Sequence, residues 1–251
     1  RISAELDEPV SPKLRAFAAH AAAGFGDTAR VVMQCNPAPN GSIAGTLQIY
    51  VIVTDYDKTH DSGILKRANR LMPPIHIPLT LSNITADLAV ISEEDLFRLS
   101  RANEQSAQIW ADLANPVRML WCVDEDARKL AARSVMAAPP TLLNAALAHV
   151  EREVDVIDLW QLGFDLAHSV EPGAERKSTR ADPVTANPAR YIDIGQAALC
   201  HTMIANEMRG ELVHILEDPE QRIITELARW PLLRRRASWE VIGRQFLPSG
   251  A

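Results

Sequence analysis

The chain has 251 residues, of which 47% are hydrophobic and 23% are charged, and these are the proportions of an ordinary globular protein. Its formal net charge of -6 disfavours a nucleic-acid partner, because proteins that bind nucleic acids are usually basic. No apolar run reaches the roughly 18 residues that predict a transmembrane segment, and the N-terminus lacks a signal-peptide pattern. The three cysteines follow no metal-binding spacing, so we expect reduced thiols and a cytoplasmic location.

Strands alternate with helices over the first half of the chain. Ser11-Pro12 predicts a helix start, and the Ala-rich helix that follows should run to about Gly24. A second helix is expected from Lys58 to Leu71, and a third after the capping box that opens at Ser92. Runs of β-branched and apolar residues predict strands at 29–34, 46–53, 75–81, 86–91 and 117–122.

Helical periodicity dominates the second half. Helices are expected at 124–137 and 141–169, from Asn187-Pro188 to about Asn206, and from Asp218-Pro219 to Trp230, with an exposed loop at 171–186. We therefore predict an α+β chain in which a mixed α/β domain at residues 1–140 precedes a helical domain at residues 141–251.

The strongest candidate site follows the strand at 46–53, which ends in Asp55 and Asp57 with His60 just beyond. Carboxylates at the C-terminal end of a buried strand often bind metal ions or act in catalysis. Asp55 and Asp57 could hold Mg²⁺ against a phosphate oxygen. Alternatively, they could form a turn that caps the helix that follows, and His60 could be a surface or capping group. Both interpretations stay open at this point.

Four segments resemble counterparts, in matching order, in a single protein family. They are Ile52-Val-Thr-Asp-Tyr-Asp-Lys-Thr-His60 with Leu65 to Asn69, then Ala89-Val-Ile-Ser-Glu-Glu-Asp-Leu96, Leu113-Ala-Asn-Pro-Val-Arg-Met-Leu120 and Asp182-Pro-Val-Thr-Ala-Asn-Pro-Ala-Arg-Tyr191. Together they resemble the mitochondrial-type phosphatidate cytidylyltransferases and their bacterial relatives across about residues 28–200.

The resemblance implies a nucleotidyltransferase-like domain that uses Mg²⁺ to transfer CMP from CTP to phosphatidate. It is also compatible with a protein that contacts the inner membrane peripherally. It implies catalytic roles for Asp55, Asp57 and His60. Asn36 or Gly41-Ser42 would line the triphosphate turn, and Lys66 and Asn69 would help to position phosphate. Asp55 would bind the metal, with Gln48 at the position of a further metal-binding carboxylate.

Several polar positions depart from the family pattern. Cys35-Asn36 stands where the family has Gly-Ser, and Gln48 stands where it has Asp. Asp87-Leu88 replaces Lys-Tyr, and Ala111-Asp112 replaces Gly-Arg. An amide cannot neutralise Mg²⁺, and carboxylates in place of cations reverse the charge that phosphate would meet. Two hypotheses follow: an active cytidylyltransferase, or a non-catalytic binding or scaffold relative of the same fold.

A minor alternative uses the same strand end. The segment Asp55-Tyr-Asp57-Lys-Thr59 resembles the first motif of haloacid-dehalogenase phosphatases, with Asp55 as nucleophile and Asp57 as general acid/base. Ser92 and the pair Asp124 and Asp126 would supply later motifs, but the required lysine is missing from residues 93–123.

A basic and aromatic cluster lies near the C-terminus, where Arg234-Arg235-Arg236 is flanked by Trp230 and Trp239. Such a cluster would favour binding to an anionic membrane surface, and each basic residue near the surface would contribute about 1 kcal/mol of binding free energy. The alternative is a solvated helix start whose tryptophans are buried in the helical domain.

Overall fold

A computed structural model gives the fold and describes residues 1–38, 43, 45–59, 63–71, 73–101, 107–169 and 183–216. The chain divides into two compact units. The first unit comprises Arg1–Arg101 and Asp112–Ala138, and the second comprises Ala102–Ala111 and Pro139–Ala251. Helices are combined with a mixed sheet, which confirms the predicted α+β class. The domain boundary at residue 140 stays a prediction.

The described elements follow one another along the chain as helices and short strands. They are α1 (Ile2–Leu6), α2 (Pro12–Ala23), β1 (Ala29–Cys35), β2 (Thr46–Val53), α3 (Gly63–Leu71), β3 (Ile75–Leu81), β4 (Ile84–Ser92), α4 (Glu93–Leu99), α5 (Ala107–Ala114), β5 (Val117–Cys122), α6 (Glu125–Leu147), β6 (Glu153–Asp155), α7 (Val156–Ser169), α8 (Pro183–Ala186), α9 (Pro188–Leu199), β7 (Asn206–Arg209) and β8 (Leu212–Ile215).

The first unit is built on a five-stranded mixed sheet with the order β3-β4-β2-β1-β5. The central strand β2 pairs antiparallel with β1 and parallel with β4. The outer strands β3 and β5 pair antiparallel with β4 and β1. Because β2 lies between two partners, both of its edges are hydrogen-bonded within the sheet.

The two faces of β2 differ in chemistry, because successive side chains of a strand point to opposite faces. One face packs into an apolar core with α2, through Leu47, Ile49, Val51 and Val53 of β2 and Leu14, Phe17, Ala18 and Ala21 of α2. The opposite face carries Gln48, Tyr50 and Ile52, so polar groups line the side away from α2.

Helix-capping chemistry places two of the helices where the sequence predicts them. The Ser11 hydroxyl accepts from the Leu14 amide at 3.3 Å, with Pro12 in the first turn of α2. The Ser92 hydroxyl accepts from the Asp95 amide at 3.1 Å and starts α4. Both predicted helix starts are confirmed.

Several predicted element boundaries are wrong. Helix α6 continues from Glu125 through Pro139 and Pro140 to Leu147, although proline removes a backbone donor and should interrupt a helix. Helix α3 begins at Gly63 rather than Lys58, because the chain forms a turn at 57–59. The predicted helix from Asp218 to Trp230 lies outside the described residues.

The second unit contains a three-stranded sheet, in the order β6-β8-β7, that the sequence analysis missed. The region predicted as the end of a helix at Asn206 is instead strand β7, because α9 stops at Leu199. A two-residue turn joins β7 to β8, and its Gly210 has a φ of +65°, a conformation that glycine adopts without strain. The short Arg-Gly-Glu-Leu sequence was the available signal for this hairpin.

An aromatic cluster organises the helices of the second unit. The Trp160 ring lies 5.9 Å from Phe164 and 5.3 Å from Tyr191 between centroids. The indole N–H of Trp160 donates to the Tyr191 carbonyl at 2.8 Å, so the buried ring has its polar atom satisfied. This hydrogen bond fixes Trp160 of α7 against α9.

Nowhere in the described part of the chain does a helix combine the length and the apolar character needed to cross a bilayer.

Gly195 of α9 lies where α7 approaches most closely, and the substitution Gly195→Ala should destabilise the second unit. A Cβ there would lie 2.7 Å from Val156 Cγ2 and 3.0 Å from Trp160 Nε1, and Trp160 is held by its hydrogen bond. We expect overpacking of about 1–3 kcal/mol to exceed the gain in helix propensity of about 1 kcal/mol. Urea unfolding measures the difference, with the exposed neighbour Gln196→Ala as the control. A Gly195→Ala protein as stable as the wild type would contradict this packing.

Candidate functional site

The predicted strand-end residues serve local structure. One Asp55 carboxylate oxygen accepts from the Asp57 amide at 2.9 Å and from the Lys58 amide at 3.3 Å. The Thr59 hydroxyl also donates to the Asp55 carbonyl. Asp57 pairs with Arg70 of α3 at 3.0 Å on the exposed surface. These contacts match the turn-forming interpretation, while the catalytic roles of Asp55 and Asp57 stay predictions.

Of the residues predicted to bind nucleotide, the structure describes Asn36, Lys66 and Asn69, and two of them make contacts to the backbone of the fold. Asn36 follows β1 with a φ of +50°, and its backbone N–H donates to the Pro116 carbonyl at 2.8 Å. Asn69 is fully buried, and its side-chain oxygen accepts from the Ile75 amide at 3.2 Å. Lys66 lies half-buried on α3. His60, Gly41 and Ser42 lie outside the described residues.

The two residues proposed as metal ligands lie towards opposite ends of β2. Gln48 is the third residue of the strand, and Asp55 follows its last residue, Val53. At about 3.3 Å per residue, the path from Gln48 to Val53 alone spans roughly 16 Å. One metal ion therefore cannot contact both side chains, and their individual roles stay predictions.

Three of the positions that depart from the family pattern share one row of the sheet. Cys35 of β1 pairs with Gln48 of β2, and Gln48 in turn pairs with Asp87 of β4. Side chains at paired positions lie on the same face, so the three groups form a line away from α2. We call Cys35, Gln48, Tyr50 and Asp87 the polar face.

A buried hydrogen bond between Tyr50 and Asp112 lies on the polar face beside Gln48. Tyr50 lies two residues after Gln48, and its hydroxyl donates to an Asp112 carboxylate oxygen at 2.9 Å. Tyr50 is 2% exposed and Asp112 is 9% exposed. Asp112 belongs to α5, so this carboxylate approaches the polar face from outside the sheet. A buried carboxylate is costly unless it is hydrogen-bonded, and Tyr50 meets that requirement.

Electrostatics keep the Cys35 thiol protonated. Burial raises its pKa well above the ordinary value, and the negative charge of Asp112 raises the pKa further. A reactive cysteine needs the opposite environment, with nearby cations or a helix N-terminus. Cys35 is therefore a buried, protonated side chain that packs within the polar face, and its environment does not favour a nucleophilic thiolate.

The outer part of the polar face carries a hydrogen-bonding contact between a histidine and a carboxylate that the sequence did not predict. His76 of β3 places its Nδ1 2.7 Å from an Asp87 carboxylate oxygen, and both side chains are exposed. His76 pairs in register with Ala89, so it is diagonal to Asp87 across the β3–β4 ladder. The alternation of His76, Pro78 and Thr80 with apolar residues was the signal for this face.

Residues of the phosphatase alternative also have structural roles. Ser92 caps α4, and Asp124 accepts from the Ala127 amide at 2.8 Å at the start of α6. Asp124 also pairs with Arg30 at 2.9 Å, and this cation pairs with Glu93 at 2.9 Å. The hydrogen bond from the backbone amide of Ala127, and after it the Arg30 contacts, lower the pKa of Asp124. These groups stabilise helix starts, and no contact favours the phosphatase over the other hypotheses.

The polar face does not fit a Mg²⁺ centre. Mg²⁺ prefers one or two carboxylates in an octahedral oxygen environment. Here Gln48 offers an amide, Asp87 contacts His76, and Asp112 is bonded to Tyr50. Among the residues that the structure describes, no group of three or more His, Cys, Asp or Glu side chains could hold a metal ion.

Comparisons with known proteins find similarity to solved structures, but none to protein families or to curated proteins. Among solved structures, the chain is similar to a nucleotidyltransferase-like protein from Exiguobacterium sibiricum 255-15. The two share 13% sequence identity with a TM-score of 0.31, over 88% of this chain and 73% of the other. This similarity assigns the chain neither to a family nor to an activity.

Tyr50→Phe removes the hydroxyl that donates to buried Asp112, and we expect it to lower the free energy of unfolding by about 1–3 kcal/mol. With Asp112→Asn in place, loss of the Tyr50 hydroxyl should cost less free energy of unfolding, because burying an unpaired amide costs less than burying an unpaired carboxylate. The double variant should therefore be more stable than the sum of the two single effects predicts. Chemical denaturation of all four proteins measures the coupling free energy, and strictly additive effects would contradict the interaction.

Proposed function

We propose that this chain is a nucleotidyltransferase-like protein, related to the phosphatidate cytidylyltransferases, that acts by binding and has lost the Mg²⁺-dependent transfer step. The proposal combines the sequence resemblance with the geometry of the polar face. It places the chain among non-catalytic binding or scaffold proteins rather than among active transferases.

The observation that carries the proposal is the buried hydrogen bond between Tyr50 and Asp112. In the family, a cation is expected where Asp112 stands, and it would face phosphate. In this chain the position holds a carboxylate that is 9% exposed and bonded to a neighbouring phenol. Tyr50 and Asp112 thus satisfy each other, and neither group is arranged to stabilise charge on a bound triphosphate.

The residues of this chain at the family's metal-binding positions also favour Mg²⁺ binding less. The family's metal-binding carboxylate corresponds to Gln48, whose carbonyl could contact Mg²⁺ but could not neutralise it. The neighbouring carboxylate, Asp87, lies within 2.7 Å of His76. A divalent ion would have to displace His76 from Asp87. It would then find one carboxylate, that of Asp87, in the row of Cys35, Gln48 and Asp87.

Charge repulsion acts on the nucleotide itself. CTP carries several negative charges, and Asp87 and Asp112 both stand where the family has cations. Like charges brought together in a partly buried site cost free energy, because water screens them poorly there. We therefore expect neither CTP nor phosphatidate to be a substrate of this chain.

Isothermal titration of CTP and of ATP, each with Mg²⁺, tests the proposal. We expect no saturable heat up to about 1 mM nucleotide, which corresponds to a binding free energy weaker than about -4 kcal/mol. An assay with CTP, Mg²⁺ and phosphatidate vesicles should form no CDP-diacylglycerol. The matched variant is Asp55→Ala, which alters the predicted strand-end site without touching the polar face.

Micromolar CTP binding that requires Mg²⁺ and is abolished in Asp55→Ala would contradict the proposal. It would place Asp55 in a functional nucleotide-binding site instead. Thermal denaturation of both proteins is needed beside the titration, because Asp55 also closes a turn and its loss could lower stability.

A further inference from the structure

A cavity lies along the outer strand β5 of the first unit, away from the polar face. Its volume is about 230 Å³, and its walls include Leu6, Val10, Arg15, Met119, Trp121 and Arg128. We call it the edge cavity. Because β1 and β5 lie between β2 and this edge, the cavity is two strand spacings, or roughly 10 Å, from the strand that carries Gln48.

The N-terminal segment forms one side of the edge cavity and is fixed by two ion pairs. Asp7 pairs with Arg128 of α6, and Glu8 pairs with Arg118 of β5. These contacts hold the segment between α1 and α2 against the edge of the sheet. The cavity is therefore bounded by described residues of a single unit.

The charges that line the edge cavity leave one cation available. Arg128 is paired with Asp7, and both acidic residues of the N-terminal segment have arginine partners. Arg15 lies on the exposed side of α2 and makes no ion pair with any residue in the described part of the chain. A guanidinium beside an apolar wall binds a carboxylate through two parallel hydrogen bonds when the geometry allows.

Other residues that line the edge cavity are apolar or aromatic. Trp121 is half-buried and packs with Val10 against the apolar core of the sheet. Met119 also lines the cavity, and a register shift in β5 pairs Trp121 with Val32 and Met119 with Met33. Aromatic and thioether side chains favour flat apolar ligands. The volume is below the roughly 300–1,000 Å³ of cavities that bind drug-sized molecules, so the ligand must be small.

We propose that the edge cavity binds a small organic monoanion, with its carboxylate on Arg15 and an aromatic or apolar body against Trp121 and Met119. This site is independent of the polar face and of the proposed loss of transferase chemistry. Its ligand class follows from one available cation and several apolar side chains that line a cavity of limited size.

Fluorine NMR with 4-(trifluoromethyl)benzoate as the probe tests the proposal on the full chain. We expect saturable changes in the probe's linewidth and shift, and about tenfold weaker binding to Arg15→Gln, as expected for loss of a charge-assisted hydrogen bond. The neutral probe 4-(trifluoromethyl)benzamide should bind wild type about as weakly as the benzoate binds Arg15→Gln. Arg67→Gln, which removes an exposed arginine from α3, is the control and should bind like wild type.

Two results would overturn the proposal. One is the absence of saturable benzoate binding up to its solubility limit. The other is equal benzoate affinity in wild type and Arg15→Gln, which would remove the assigned cation. Because Arg15 is exposed, its substitution should leave the melting temperature unchanged, and a thermal scan checks that the variant is folded.

Discussion

The burial of β2 on both faces is the constraint on which the first unit depends. Five of its residues, from Ile49 to Val53, are at most 2% exposed. The face towards α2 meets this requirement with apolar side chains alone. The opposite face carries Gln48 and Tyr50, so each polar group there needs a partner before it can be covered. Tyr50 finds that partner in Asp112, and the pair determines what chemistry this face can perform.

The same constraint supports the proposal that this chain does not carry out transferase chemistry. A catalytic face must leave carboxylates ready for a metal and cations ready for phosphate. In this chain Asp112 is hydrogen-bonded to a phenol, Asp87 contacts His76, and burial keeps Cys35 protonated. Groups that satisfy one another stabilise the fold, and they are then poorly placed to receive a ligand. These contacts are the physical basis of the proposed non-catalytic role.

Local signals in the sequence predicted much of the fold and little of the site. The five strands of the large sheet and the Ser11 cap depend on neighbouring residues, so pattern and propensity were sufficient. The turn role of Asp55 was one of two interpretations that the sequence left open. The row of Cys35, Gln48 and Asp87 depends on register between strands up to 52 residues apart in the chain. No local pattern fixes that register, and Tyr50 and Asp112 are still further apart, at 62 residues.

Placing a carboxylate at position 48 tests the central claim that this face binds no metal ion because an amide stands where a second carboxylate ligand would be needed. Gln48→Asp would place two carboxylates in register across β2 and β4, opposite Asp87. Manganese titration followed by electron paramagnetic resonance should show bound Mn²⁺ in Gln48→Asp and none in wild type. Thr46→Asp, which adds the same charge on the same face, should bind none. Wild-type binding equal to that of Gln48→Asp, or no binding in either protein, would contradict the account.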